Sequence, residues 1–268
     1  TRNNQDEFAI ESYSRAQASV SEGRFKEEIA PVTIKDRKGD TVVDTDEDPF
    51  KTNFDKIPTL KPVFTKDGSV TAANASTIND GAAALVLADA EYAAANGLNP
   101  IARIVAQAQH AQAPMEFNTA PVTAIRRVLD KAGLTVDDID LLEINEAFAV
   151  TALAAKNELG IPHEKLNVNG GAVALGHPIG ASGARILSAA AIDEARVETL
   201  FGDRITVDIS LRFDPATGSV SALRERRLGA IVLARGPADK VDPEAVSAAM
   251  VEGVRTHGLG VLPWSEGA

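Results

Sequence analysis

The 268-residue chain contains no cysteine, which removes disulfides, thiolate nucleophiles, Cys-ligated zinc and iron–sulfur clusters from the chemistry this polypeptide can build. It is also short of aromatic residues, at 4%, and of positive charge, with 27 Lys and Arg against 38 Asp and Glu. A net charge of −11 repels polyanions at long range, so a general nucleic-acid surface or an anionic-membrane surface is not expected. No apolar run approaches the roughly eighteen residues that a bilayer span requires, and the opening TRNNQDEFAI lacks the blocks of a signal peptide. These absences set a cytoplasmic location as the expectation. With 44% hydrophobic and 24% charged residues, the composition is that of a globular protein able to bury a core.

Composition changes along the chain. Residues 1–187 are rich in Ala, Gly and Val, whereas 188–268 carries a dense Arg/Asp/Glu pattern. Phe8, Ala9, Tyr13, Ala16 and Val20 recur at helical spacing between Asp6 and Gly23, which predicts one amphipathic helix stopped by a glycine. Residues 31–68, with Pro31, Pro49, Pro58, Pro62 and the turn Arg37-Lys38-Gly39-Asp40, predict a loop-rich excursion that could cover a site. Strand and helix signals then alternate. Strands are expected at 82–87, 101–106, 139–144 and 166–168, and helices at 89–95, 121–132 and 147–159, with Asn96-Gly97, Gly133 and Gly160 as stops. Alternation of this kind predicts an α/β layered sheet. In the tail, 204–213 and 219–234 read as strands joined by Asp214-Pro215-Ala216-Thr217-Gly218, and Asp242-Pro243-Glu244 opens a helix.

Three segments are chemically specific. Asn74-Ala75-Ser76-Thr77-Ile78-Asn79-Asp80-Gly81-Ala82-Ala83-Ala84 is a polar loop entering an apolar run. Asn145-Glu146-Ala147-Phe148-Ala149 lies where a strand gives way to a helix. Asn169-Gly170-Gly171 through Gly176-His177-Pro178-Ile179-Gly180-Ala181-Ser182-Gly183 is glycine-rich and holds one histidine at a helix mouth. A strand-end Asn and a loop His lie where an open α/β sheet binds ligands, and helix starts favour oxyanions. An acyl-transfer site needs an imidazole near the operating pH and donors aimed at the developing oxyanion. The same residues also admit plain structural roles: a cap or turn for Asn145 and Ser76, a backbone-bonded loop residue for His177.

The three segments, together with Phe64-Thr65-Lys66-Asp67-Gly68, resemble the signature blocks of thiolases of the acetyl-CoA acetyltransferase type, in that family's order and over residues 1 to about 187. The resemblance implies a partial thiolase-like α/β layered fold with a strand-hairpin and helix tail. It implies oxyanion-hole roles for Asn145 and His177, contacts to the pantetheine of coenzyme A at Ser76 and Phe64, and an acyl pocket lined by Ala147 and Phe148. Glu146 is expected to orient its neighbours. The expected ligand is a small acyl ester or a coenzyme A thioester, with no metal, and a homo-oligomer is an open expectation.

The family's two catalytic cysteines, the nucleophile and the acid/base, have no counterpart in these 268 residues, so thiolysis is not expected of the chain alone. Residues from about 196 to 266, notably Phe213-Asp214-Pro215-Ala216-Thr217-Gly218, Arg224-Glu225-Arg226-Arg227 and Leu262-Pro263-Trp264-Ser265, resemble the carboxy-terminal region of HrpB-type ATP-dependent helicases. No GxxxxGK[ST] accompanies them, so phosphate cradling by a P-loop is not expected. The implied organisation is a thiolase amino-terminal and loop remnant at 1–100, a thiolase carboxy-terminal-type α/β domain at 101–187, and a helicase-like tail at 188–268 packed on the core. Three functional readings follow. The first is an acyl-CoA-site protein unable to perform thiolysis. The second is a small-ester hydrolase using His177 with Ser182, Ser76 or water, and the third is a non-catalytic chimera. GASGA is not a GxSxG nucleophile elbow, which weakens the serine variant.

Overall fold

The computed structural model describes residues 1–201 and 207–208, with side chains through residue 190. Helix α1, Arg2–Glu22, starts where the Thr1 side chain accepts from the Asn4 amide. It ends at Gly23, whose left-handed φ of 72° returns its amide to the last turn, the closure a glycine makes at low steric cost. The expected apolar face is present, with Phe8, Ala9, Tyr13 and Ala16 buried. Gln5, Asp6, Ser12 and Ser19 are buried beside them, so this helix carries a polar stripe into the core.

The 31–68 excursion forms a short antiparallel hairpin, β1 (Val32–Ile34) with β2 (Thr41–Val43), in the register Val32↔Val43 and Ile34↔Thr41. Two 3-10 turns follow, Asp48–Phe50 and Phe54–Thr59. Arg2 ties the second turn to α1 by donating to the carbonyls of Ile57 and Leu60, both at 3.0 Å. Helix α2, Ala90–Ala95, begins under Asp89, whose carboxylate accepts from the amides of Glu91 and Tyr92. Helix α3, Ala120–Ala132, closes on Gly133 at φ 73°.

The strands expected at 82–87 and 101–106 do not form ladders. Residues 83–88 alternate inward and outward, but only a single bridge position, at Leu85, occurs in either segment. Periodicity detects a backbone that suits pleating; a ladder also needs a neighbour for its N–H and C=O groups. The strand expected at 139–144 contracts to β3, Leu142–Glu143, flanked by a parallel bridge from Leu142 to Leu166. That bridge is what remains of the strand expected at 166–168.

Helix α4, Ala149–Leu159, starts two residues later than expected because Phe148 stays extended to bridge Ala75 while the Ala147 carbonyl accepts from the Ser76 amide. A four-residue helix, α5 (Ala172–Leu175), lies inside the segment read as a glycine-rich turn. Helix α6, Ile179–Phe201, follows, and β4, Val207–Asp208, pairs parallel to β3 in the register Leu142↔Val207. The remainder of the strands expected at 204–213 and 219–234, the Arg224–Arg227 cluster, His257 and the helix from Asp242 lie outside the described residues. The core joins α1, α3 and α4 around the short parallel strands, with Ile125, Ile139 and Leu166 fully buried. The architecture mixes helices with short strands, a partial α/β fold.

Candidate functional site

The site is organised around a buried carboxylate. Glu146, at 0% exposure, accepts from Ser12 Oγ at 2.7 Å, from Asn167 Nδ2 at 2.7 Å and from the Val173 amide at 3.1 Å. Burial pushes its carboxyl above the ordinary value, and the donors from Asn167, Ser12 and Val173 offset only part of that. A Cβ at Gly171 would fall onto this carboxylate, which is why glycine stands there. Asn167, in the left-handed region at φ 47°, completes the support. Its Oδ1 accepts from the Ile144 amide at 2.8 Å and its Nδ2 donates to the Ile144 carbonyl at 2.9 Å, so a carboxamide replaces a strand neighbour where β3 ends. The backbone entering Asn145 is thereby fixed on both sides.

Asn145 and His177 meet. Asn145 Nδ2 lies 3.3 Å from His177 Nε2, and His177 Nδ1 lies 2.6 Å from Ser182 Oγ. The Ser182 hydroxyl donates to the Pro178 carbonyl at 3.0 Å. Since a hydroxyl has one proton, Ser182 then accepts from Nδ1–H, and Nε2 carries the lone pair to which Asn145 donates. The directions form one consistent chain, Asn145 to His177 to Ser182 to Pro178. Burial, and secondarily the charge of Arg185, push the His177 imidazole below its ordinary value, so it is neutral near neutrality. Asn145 Oδ1 is buried with no hydrogen-bond partner among the described residues.

The second cluster is continuous with the first. Ser76 Oγ and the Ser76 amide both donate to the Ala147 carbonyl, at 2.9 and 3.1 Å, and Ala75 bridges Phe148. The Phe64 and Phe148 rings meet edge to face with centroids 5.9 Å apart. Phe64 is 71% exposed, so its ring is an open wall. All seven residues singled out from the sequence thus fall into two linked groups: Asn145, His177 and Ser182, then Phe64, Ser76, Ala147 and Phe148. Ser76 is committed to Ala147 and makes no hydrogen bond to His177, which removes the geometry a Ser76 nucleophile would need.

A cavity of about 220 Å³ lies beside the loop, between Gly81–Ala84 and the Pro178, Ala181 and Arg185 face of α6, and neither Asn145 nor His177 lines it. Among the described residues no cluster of His, Asp or Glu could hold a metal ion, and no helix is long and apolar enough to cross a membrane. Sequence reasoning missed Ser12 and Asn167. The one available signal for Ser12 is a polar residue at the core-facing spacing Phe8, Ser12, Ala16 of α1.

The chain is similar to known proteins over roughly its first two hundred residues. Residues 1–91 match the model of the thiolase amino-terminal domain and residues 98–202 that of the thiolase carboxy-terminal domain. An acetyl-CoA acetyltransferase of Yarrowia lipolytica is 58% identical over 186 residues, which is 69% of this chain and 47% of that protein. One from Syntrophomonas wolfei is 51% identical over 189 residues, 70% of this chain and 48% of its own length. The crystal structure of the Bacillus anthracis acetyl-CoA acetyltransferase superposes with a TM-score of 0.71 at 46% identity, covering 74% of this chain and 50% of that one. The Acat5 thiolase of Ascaris suum, solved in complex with coenzyme A, gives a TM-score of 0.66 at 43% identity over 72% of this chain and 50% of that one. The chain therefore spans about half the length of the relatives it matches. Over residues 1–202 it belongs to the thiolase family.

Proposed function

We propose that the chain supplies the acyl-binding side of a thiolase-type acetyltransferase site. In this reading an acyl-CoA thioester places its carbonyl oxygen against Asn145 Nδ2, whose other N–H is held by the His177 Nε2 lone pair. Phe64 and Phe148 then flank the chain leading to that carbonyl, and Ser76 holds Ala147 in the wall. The observation that carries the reading is the 3.3 Å approach of Asn145 Nδ2 to His177 Nε2, where a strand end and a helix start converge, with Asn145 Oδ1 buried and unpartnered. Unpaired polar atoms cost about 1–3 kcal/mol when buried, and a ligand donor facing Oδ1 would recover part of that. Removing the acyl oxygen's donors is typically worth 10²–10³ in rate for sites of this kind, about 2.7–4 kcal/mol.

The exchange reaction itself needs a thiolate to carry the acyl group, and these 268 residues contain none. Thiolysis by this polypeptide alone is therefore not part of the proposal. A second reading is favoured by one observation: neutral His177 carries its lone pair on Nε2, held by Asn145 only at 3.3 Å, so a water that takes the place of that contact would meet a general base. Small-ester hydrolysis would then proceed through water. Ser182 is at 4% exposure with its proton committed to Pro178, so it orients the imidazole and does not attack.

Acetoacetyl-CoA thiolysis, p-nitrophenyl acetate hydrolysis and binding of acetyl-CoA by calorimetry, run on the full chain and on His177→Ala, test these readings. Expected are no thiolysis, saturable binding weakened in the variant, and slow ester hydrolysis that the variant loses. No binding and no hydrolysis would overturn both and leave a non-catalytic chimera.

A further inference from the structure

We infer that Asn79 and Asp48 are positioning residues that set the backbone of His177, and through it the approach of the imidazole to Asn145. The inference rests on the reading of His177 as the acyl-site imidazole. The His177 amide donates to two acceptors, the Thr77 carbonyl at 3.0 Å and Asn79 Oδ1 at 3.1 Å, while Ile78 forms a parallel bridge with His177. Asn79 Oδ1 also accepts from Thr77 Oγ1 at 2.7 Å, and Asn79 Nδ2 donates to Asp48 Oδ2 at 2.9 Å. Every polar group of the Asn79 side chain is thus directed to a specific partner. Gly176 precedes His177 at φ 89°, and a Cβ there would collide with the Asn79 carboxamide. The one residue that can turn the chain into His177 is a glycine, and the side chain that occupies the freed space is Asn79.

Asp48 anchors this arrangement from the other side. It opens the 3-10 turn Asp48–Phe50, whose Pro49 is fully buried and whose Pro49 carbonyl accepts from Gln17 of α1 at 2.8 Å. Partial burial works against ionisation of Asp48, but hydrogen bonds from Lys51 and Asn79 outweigh it and hold the carboxyl below its ordinary value. A fixed carboxylate on the excursion therefore orients the Asn79 amide, and an Asn79 oxygen orients the His177 amide.

The test is made on the full chain by nuclear magnetic resonance, following the His177 amide and its imidazole nitrogens, assigned by their loss in His177→Gln. Asn79→Ala and Asp48→Ala should each speed hydrogen exchange of the His177 amide by about tenfold, the worth of one hydrogen bond, and shift the imidazole nitrogen signals. Asp48→Asn keeps an oxygen that can accept from Asn79 and should restore the wild-type signals. Lys51→Ala, which removes the exposed ion pairs to Asp48 at 2.8 Å and to Glu47 at 3.1 Å, should leave them unchanged. Wild-type exchange and imidazole signals in Asp48→Ala, or an Asp48→Asn no closer to wild type than Asp48→Ala, would overturn the inference. Because these signals are read without substrate, a wild-type chain that neither binds acetyl-CoA nor hydrolyses esters would sink the proposed function and leave the positioning result standing. If Asn79→Ala fails to fold, the Asp48 pair decides.

Discussion

Ile125 and Ile78 are the same residue in two regions that differ in almost every other respect. Ile125 is 0% exposed between α3 and the helices it packs on, whereas Ile78 is 93% exposed although it bridges directly to His177. The first region, α1 with α3, α4, β3 and the glycine loop, buries its apolar side chains and pairs its polar ones through Glu146, Asn167 and Ser12. The second, residues 78–112, holds Val86 at 77%, Ile101 at 62% and Ile104 at 57% exposure, all outside helices and ladders. Hydropathy alone does not separate the two. What separates them is whether another element lies across the face, since burial stabilises by about 25 cal/mol per Å² only when there is something to be buried against.

The largest expected effect comes from cutting across the first region. Ending the chain after Leu187 divides α6, removes the buried Ala189 and Ala190, and deletes β4, which pairs with β3. Loss of cooperative folding, seen as aggregation or a broad melt, is the expected outcome. A soluble truncate with a sharp melt would show that the region closes without α6.

Next in size is the direct contrast. Ile125→Ala should cost about 2–5 kcal/mol in urea melts, because the cavity it leaves is walled by buried neighbours. Val86→Ala should stay within about 0.5 kcal/mol. Equal costs would mean that 78–112 is buried in solution in a way the described structure does not show, and the comparison would fail.

The contrast also explains how much could be read in advance. Helix stops were legible because each rests on a local device, Gly23, Gly133 and Gly160 at φ near 70°, and the start of α2 under Asp89 was legible in the same way; α1 instead begins at Arg2 under Thr1, before the expected Asp6. The Asn145 and His177 pairing was legible through the resemblance of short blocks. Strands were overcalled because pairing is a property of two segments, and among the described residues 82–87 and 101–106 find no second segment for a ladder. The support of Glu146 was not legible at all. Ser12 lies 134 positions away in the chain, and nothing local to either residue announces the other.

Glu146 offers a smaller, pH-dependent test of the paired region. Its carboxyl is held above the ordinary value chiefly by burial, so the folded state favours its protonated form. Its contribution is fully present below the ordinary carboxylate value and is lost as pH rises through the elevated one. Glu146→Gln should therefore flatten the fall in stability as pH rises above the ordinary carboxylate value. Glu146→Ala should cost about 1–3 kcal/mol throughout, because Ser12, Asn167 and the Val173 amide lose their acceptor. A wild-type curve that rises with pH over this range, with Glu146→Gln parallel to it, would contradict the assignment.

The smallest effect is a shift of one resonance. Burial first, and Arg185 second, depress the His177 imidazole, so its stabilising contribution is present above the ordinary imidazole value and is lost as pH falls through the depressed one. His163 is depressed as well, by burial and then by Arg15 and Lys156, so a melt alone would not separate them. Proton-detected titration of the imidazoles does. The wild-type His177 midpoint should lie below the ordinary value, and Asn145→Asp should raise it by about one pH unit or more, because a carboxylate then stands where the amide is 3.3 Å from Nε2. The His163 midpoint should not move. A His177 midpoint indifferent to Asn145→Asp would mean that the two side chains do not share a site, and the paired region would end at Glu146.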